Sequence, residues 1–89
     1  MTGTLGGALE ARDIPAGEGR LTSEATGEIE LDDKVLVVKR IHVKYTLKMD
    51  PEKRAAAERA HEHHARSCPV ARTIRNCVDI TTSLQMEDL

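Results

Sequence analysis

The sequence predicts an α+β fold: a small antiparallel sheet of about three strands, packed with one longer helix and short helices. Polar and apolar residues alternate from Arg20 to Leu31 and again from Val35 to Met49, the period-two pattern of half-buried antiparallel strands. Asp50-Pro51 then opens an alanine-rich stretch with helical spacing. Cys68-Pro69 breaks that helix and starts another, before a last alternating run from Cys77 to Met86.

Taken in order, Leu5, Ala8, Leu9 and Arg12 fall at helical spacing, and Asp13-Ile14-Pro15 ends the pattern. So short a helix is marginal in water by itself. Ala16-Gly17-Glu18-Gly19 reads as a loop. In the first strand Leu21, Ser23, Ala25, Gly27, Ile29 and Leu31 share a face. In the second, Val35, Val37, Ile41, Val43, Tyr45, Leu47 and Met49 do so, with Lys39 as the exception. A three-residue loop, Asp32-Asp33-Lys34, makes the two apolar faces coincide, whereas a two-residue loop sets odd positions against even ones. The expected register pairs Leu31 with Val35, Ala25 with Ile41, Ser23 with Val43 and Glu24 with His42.

Asp50 caps the longer helix, which runs to about Ser67. Ala57, Ala60, His61, His64 and Cys68 lie along one side of it. A face of alanine permits close approach of another backbone but buries little area. Pro69 pushes Cys68 out of this helix and stands first in a short one through Ile74, with Cys68 as its cap residue. In the last strand Val78, Ile80, Thr82, Leu84 and Met86 face the core, and Glu87-Asp88-Leu89 is expected to fray. No internal repeat or low-complexity segment is present.

With 89 residues the chain is one domain. It has no Phe or Trp, Tyr45 is its single aromatic residue, and 31% of it is charged, so its core is aliphatic and modest. The apolar side of the sheet exceeds what one alanine-rich helix covers, and a homodimer is expected. A net charge of −2 without a basic stripe argues against nucleic acid. No apolar run approaches the roughly 18 residues of a membrane span, and Met1-Thr2-Gly3-Thr4-Leu5 lacks the basic start and apolar core expected of a signal peptide. A cytoplasmic location is expected, where two cysteines are more often reduced or redox-active than a structural staple.

Cys68 is the leading candidate for chemistry. A thiol at a helix N-terminus, with Arg66 and Arg72 close in sequence, is biased toward the thiolate that attacks peroxides and disulfides. The alternative is an inert buried cysteine beside a helix break. His61, His64 and Cys68 could converge on a metal, but the pattern is not His-Glu-x-x-His and no fourth ligand is evident. Polar histidines on the helix surface are the better reading, although either ring could stabilise a thiolate at Cys68. Cys77 reads as an ordinary strand cysteine more readily than as a disulfide partner of Cys68. Neither a metal nor a cofactor is expected.

Three pieces in order, the strand Lys39-Arg40-Ile41-His42-Val43, the turn Ser67-Cys68-Pro69-Val70-Ala71 and the strand Val78-Asp79-Ile80-Thr81-Thr82, resemble the C-terminal part of the OsmC/Ohr family. The resemblance spans about residues 3–86. It implies a cysteine-based reductase of organic hydroperoxides that works as an intertwined homodimer with a thiol or dithiol reductant. In that pattern Cys68 matches the resolving cysteine. Residues 2–12 look like the tail of the family's central helix, whose peroxidatic cysteine would lie just upstream of Met1. The family's N-terminal strands, and the Arg and Glu that assist that cysteine, have no counterpart here. The expectation is therefore a single OsmC-like half-domain over 1–89, catalytically incomplete as given. The alternative is a non-catalytic module for oligomerisation or partner binding.

Overall fold

Helix α1 (Thr2–Glu10) leads through a loop into a long hairpin of β1 (Leu21–Asp32) and β2 (Val35–Met49). A 3₁₀ turn (Pro51–Lys53), helix α2 (Arg54–Ser67), helix α3 (Pro69–Ile74) and strand β3 (Asp79–Asp88) complete the chain. This is a computed structural model, and it describes residues 1–88. The sheet order is β1-β2-β3, with the helices on one face.

The α+β class stands, but the sheet is mixed. β1 and β2 are antiparallel, whereas β3 runs parallel to β2, pairing Arg40 with Asp79 through Met49 with Asp88. Alternation shows that one face of a strand is buried and is silent about strand direction. Direction is set by the connection: residues 50–78 form a helical crossover that returns the chain to the starting end of β2. The fraying expected at the C-terminus does not occur at Glu87 and Asp88, which continue the parallel ladder; Leu89 lies outside the described residues.

The hairpin also departs from expectation. Its loop has two residues, Asp33 and Lys34, with Asp32 paired to Val35. Both loop residues have positive φ, 49° and 67°, as a tight turn matched to strand twist requires. The parity that such a turn upsets is restored by a bulge. Ile29 pairs with Val38 and Glu28 with Arg40, leaving Lys39 as the extra residue. Beyond it Gly27 pairs with Ile41, Ala25 with Val43 and Ser23 with Tyr45, so the two apolar faces coincide, two residues displaced from the expected register. Glu24 faces Lys44 instead of His42. Arg40 bonds both Glu28 and Glu30 on the exposed face, spanning the bulge.

The core lies between the helices and the near half of β2. Val43, Tyr45, Leu47 and Met49 alternate inward from the central strand and meet Leu5, Leu9 and Ile14 from the N-terminal segment and Ala57 and Ala60 from α2. Leu5 and Leu9 are fully buried, so α1 is held by tertiary packing and not by its own propensity. Asp50 starts the crossover as expected, its carboxylate accepting the Glu52 N–H at 3.0 Å. The far half of the hairpin carries exposed Ile29, Leu31, Val35, Leu36 and Val38, and the molecule is correspondingly long, 50 × 21 × 20 Å.

Candidate functional site

Cys68 sits at the junction of α2 and α3 with an extended backbone (φ −82°, ψ 119°), the conformation that Pro69 imposes on its predecessor. Its carbonyl accepts the Arg72 N–H at 3.0 Å, closing the first turn of α3. The residue is 1% exposed. Its side chain makes no capping hydrogen bond to the helix it precedes. Burial pushes the thiol up; the Ala71 N–H, the Met1 amino group, the Thr4 hydroxyl and the Val70 N–H outweigh it, and the thiol lies below its ordinary value. Arg66 and Arg72, expected to supply that bias, are exposed and contribute none of it. The bias comes first from the Ala71 N–H at the start of α3, the helix N-terminus the sequence pointed to, with the first turn of α1 adding to it.

Beneath this thiol is a buried polar cluster. Tyr45 Oη lies 3.0 Å from His64 Nε2, and His64 Nδ1 lies 2.5 Å from the His61 carbonyl oxygen. His61 Nε2 meets Thr82 Oγ1 at 2.9 Å. The two imidazoles stack at 5.3 Å between centroids, and Tyr45 stands edge-on to both, at 5.9 Å from His61 and 5.2 Å from His64. Strand β2, helix α2 and strand β3 are thus tied together one helical turn from Cys68. Burial, reinforced by the nearby Cys68 charge, pushes the Tyr45 hydroxyl up to about 12. Burial also lowers both imidazoles, which favours their neutral forms.

The reading of the histidines as surface groups holds for His63, which is exposed, and fails for His64, which is 2% exposed. The metal reading fares differently. Both His64 nitrogens and His61 Nε2 are engaged within the protein. Among the described residues no three ligating side chains gather. Cys77 is exposed and Cys68 buried, and both are free thiols. Nothing in the sequence marks Tyr45 as a site residue beyond its being a lone aromatic with a polar tip on the inward face of a strand.

A cavity of about 190 Å³ adjoins the junction, lined by Met1, Ala65, Arg66, Ala71, Arg75, Ile80 and Thr82. A larger groove of about 540 Å³ lies where β3 begins beside β2. None of Cys68, Tyr45 and His64 lines that groove, so it is no part of this site. No helix among the described residues is long and apolar enough to cross a membrane.

The family model described as OsmC-like protein matches residues 2–83. No curated protein matches the sequence. Among solved structures, a hypothetical protein from Aquifex aeolicus VF5 superposes with a TM-score of 0.74 at 14% identity, covering 99% of this chain and 68% of that one. An OsmC like protein from Mycoplasma pneumoniae gives a TM-score of 0.74 at 15% identity, over 94% of this chain and 60% of the other. The chain thus spans about three fifths to two thirds of the length of these two proteins, and the likeness is one of fold.

Proposed function

The chain belongs to the OsmC-like family, and we propose that it is an OsmC/Ohr-like redox protein in which Cys68 is the resolving thiol. In such a cycle a peroxidatic thiolate attacks the hydroperoxide O–O bond, releasing an alkoxide and becoming a sulfenic acid. The resolving thiolate then attacks the sulfenic sulfur and expels hydroxide, and a disulfide joins the two cysteines. A dithiol reductant returns both to thiols.

One observation carries this reading. The first turn of α1 lies against Cys68, with the Thr4 hydroxyl near enough to favour the thiolate. That turn is where the family pattern brings its central helix, so a sulfenic acid carried there would meet a buried, ionisation-prone thiol. A resolving cysteine suits this burial better than one that must meet substrate. The chain's other thiol, Cys77, is exposed. Nucleophilic attack on peroxide requires both an activated thiolate and groups that stabilise the departing oxygen. The residues present supply the first for resolution only.

The test is peroxide turnover with cumene hydroperoxide and a small-dithiol reductant, comparing this chain with a form extended upstream by a cysteine-bearing helix. The extended form is expected to turn over and to lose most of that activity on Cys68→Ser. Equal activity in the two forms, abolished in the short one by Cys68→Ser, would refute the resolving assignment. A second reading, oligomerisation, draws on the exposed apolar residues of the hairpin. We place a homodimer contact there, and it is compatible with the redox role.

A further inference from the structure

Ala57 and Ala60 let the backbone of α2 settle close on the sheet, and the next residues on that side, His61 and His64, are carried into the seam. His64 is 2% exposed, and its ring stacks on that of His61 at 5.3 Å between centroids. Each ring holds a different strand. His64 Nε2 bonds Tyr45 Oη of β2, and His61 Nε2 bonds Thr82 Oγ1 of β3. All of these partners are neutral, and among the described residues no carboxylate comes within ion-pair distance of either ring. One added proton can keep these hydrogen bonds, because hydroxyl oxygens accept as well as donate. It finds no paired anion in the seam, however, and a second would set two like charges face to face where water is excluded.

We propose that the stacked His61–His64 pair is an acid-operated latch: neutral, it ties α2 to β2 and β3 through Tyr45 and Thr82, and protons entering the pair release the helix from the sheet. The charged groups around the pair set the direction. Tyr45 faces it from β2, and burial keeps that hydroxyl protonated. From β3 the contact is the uncharged Thr82. The Met1 amino group, at the start of α1, adds to the resistance of His64 to a proton, and the His61 carbonyl eases that resistance without reversing it. On His61 the charge of His64 acts in the same direction as burial. Exposed Glu62 is the one anion that acts on His61, and it acts least. Cys68, at the end of α2, bears on Tyr45. Released and hydrated, both rings take up protons near the ordinary ~6.5; packed, both are held lower. The stability of the seam is therefore full above about pH 6.5 and is lost as pH falls through the packed values. The inference is independent of the redox reading of Cys68.

The experiment compares the full chain with its His61→Gln, His64→Gln variant, whose two side chains stay neutral at every pH. Hydrogen exchange at the amides of Ala60 to Ala65, corrected for the intrinsic exchange rate, reads the opening of α2. From about pH 7 to about pH 5 the parent should open more than the variant by roughly tenfold, threefold for each ring, the effect of half a pKa unit on both. Cys68 titrates in both proteins and cancels in the comparison. Ring-nitrogen NMR should find His61 taking up its proton at higher pH in His64→Gln, which removes the neighbouring charge. A loss of packing alone would raise opening equally at every pH. Equal pH dependence in parent and variant would overturn the proposal, as would two rings that titrate near ~6.5 in the folded parent. If the double variant does not fold, the parent decides by itself. Its α2 amides should open over the range in which the rings take up protons, and before the amides of the β1–β2 pairing; rings that protonate while α2 stays closed overturn the latch. Peroxide turnover enters none of these readouts, so failure of the resolving role and failure of this inference give different results.

Discussion

At Cys68 two opposed effects meet in one side chain, and their balance is measurable. Burial disfavours the thiolate, while the Ala71 N–H, the Met1 amino group, the Thr4 hydroxyl and the Val70 N–H favour it more. With Cys77→Ser as background, alkylation by a small reagent should therefore give Cys68 a midpoint below the ~8.5 of a free thiol. A midpoint at or above that value would mean that desolvation wins. The same balance acts on stability. A group whose folded pKa is depressed stabilises the fold fully above its unfolded pKa, and that stabilisation is lost as pH falls through the folded value. The stability difference between the parent and Cys68→Ser should accordingly widen from neutral pH toward the unfolded pKa near ~8.5, then level off; a difference that shrinks over this range would contradict the assigned direction. The placement of Cys68 was legible because Pro69 restricts its predecessor through covalent geometry alone. Two of the donors around its sulfur, the Ala71 and Val70 N–H groups, belong to the helix that Pro69 opens and were equally legible, whereas the Thr4 hydroxyl comes from α1, far away in sequence, and no local pattern announces it.

Among the elements, those whose signals are local formed where the sequence placed them. Asp50-Pro51 starts the crossover, Pro69–Ile74 is the short helix, and Leu5 and Leu9 form the buried face of α1. The hairpin shows what local patterning leaves open. Alternation requires apolar faces to coincide, yet two solutions meet that requirement: a three-residue loop, or a two-residue loop plus a bulge. Lys39, the residue that interrupted the alternation, is the extra residue of the bulge. The loop itself holds Asp33 and Lys34 at positive φ, a conformation costing an L-residue other than Asn or Asp about 1–2 kcal/mol. Lys34→Gly should consequently raise stability by up to ~1 kcal/mol, and a lower denaturation midpoint would speak against this turn. Leu9→Ala, by contrast, deletes a fully buried side chain between α1 and the sheet, and a loss of about 2–5 kcal/mol is expected from urea denaturation. A loss below ~1 kcal/mol would show that α1 is not docked as described.

For the molecule as a whole, the decisive asymmetry is between the two halves of the hairpin. From Arg40 to Met49, β2 has β1 on one side and β3 on the other, with helices over its inner face. From Val35 to Val38 it pairs with β1, and among the described residues no other strand or helix packs on it there. Ile29, Leu31, Val35 and Leu36 are 63%, 72%, 62% and 70% exposed there, on both faces of a two-stranded ribbon. Such a ribbon is marginal in water, and contiguous exposed apolar surface marks an interaction site. Charge gives the ribbon no solubility on its apolar positions, and Arg40 is taken up by Glu28 and Glu30 nearer its base. A second copy of the chain offers the same surface, and an isologous contact between two such arms would cover both at once. Light scattering at micromolar concentration should therefore give the mass of a dimer. Leu31→Lys combined with Leu36→Glu removes two of the most exposed apolar side chains without touching the buried core. This variant should run as a monomer, with its far-ultraviolet circular dichroism little changed. A parent protein that is monodisperse, folded and monomeric would exclude the dimer; a variant still dimeric would move the interface off the hairpin and onto another face of the sheet.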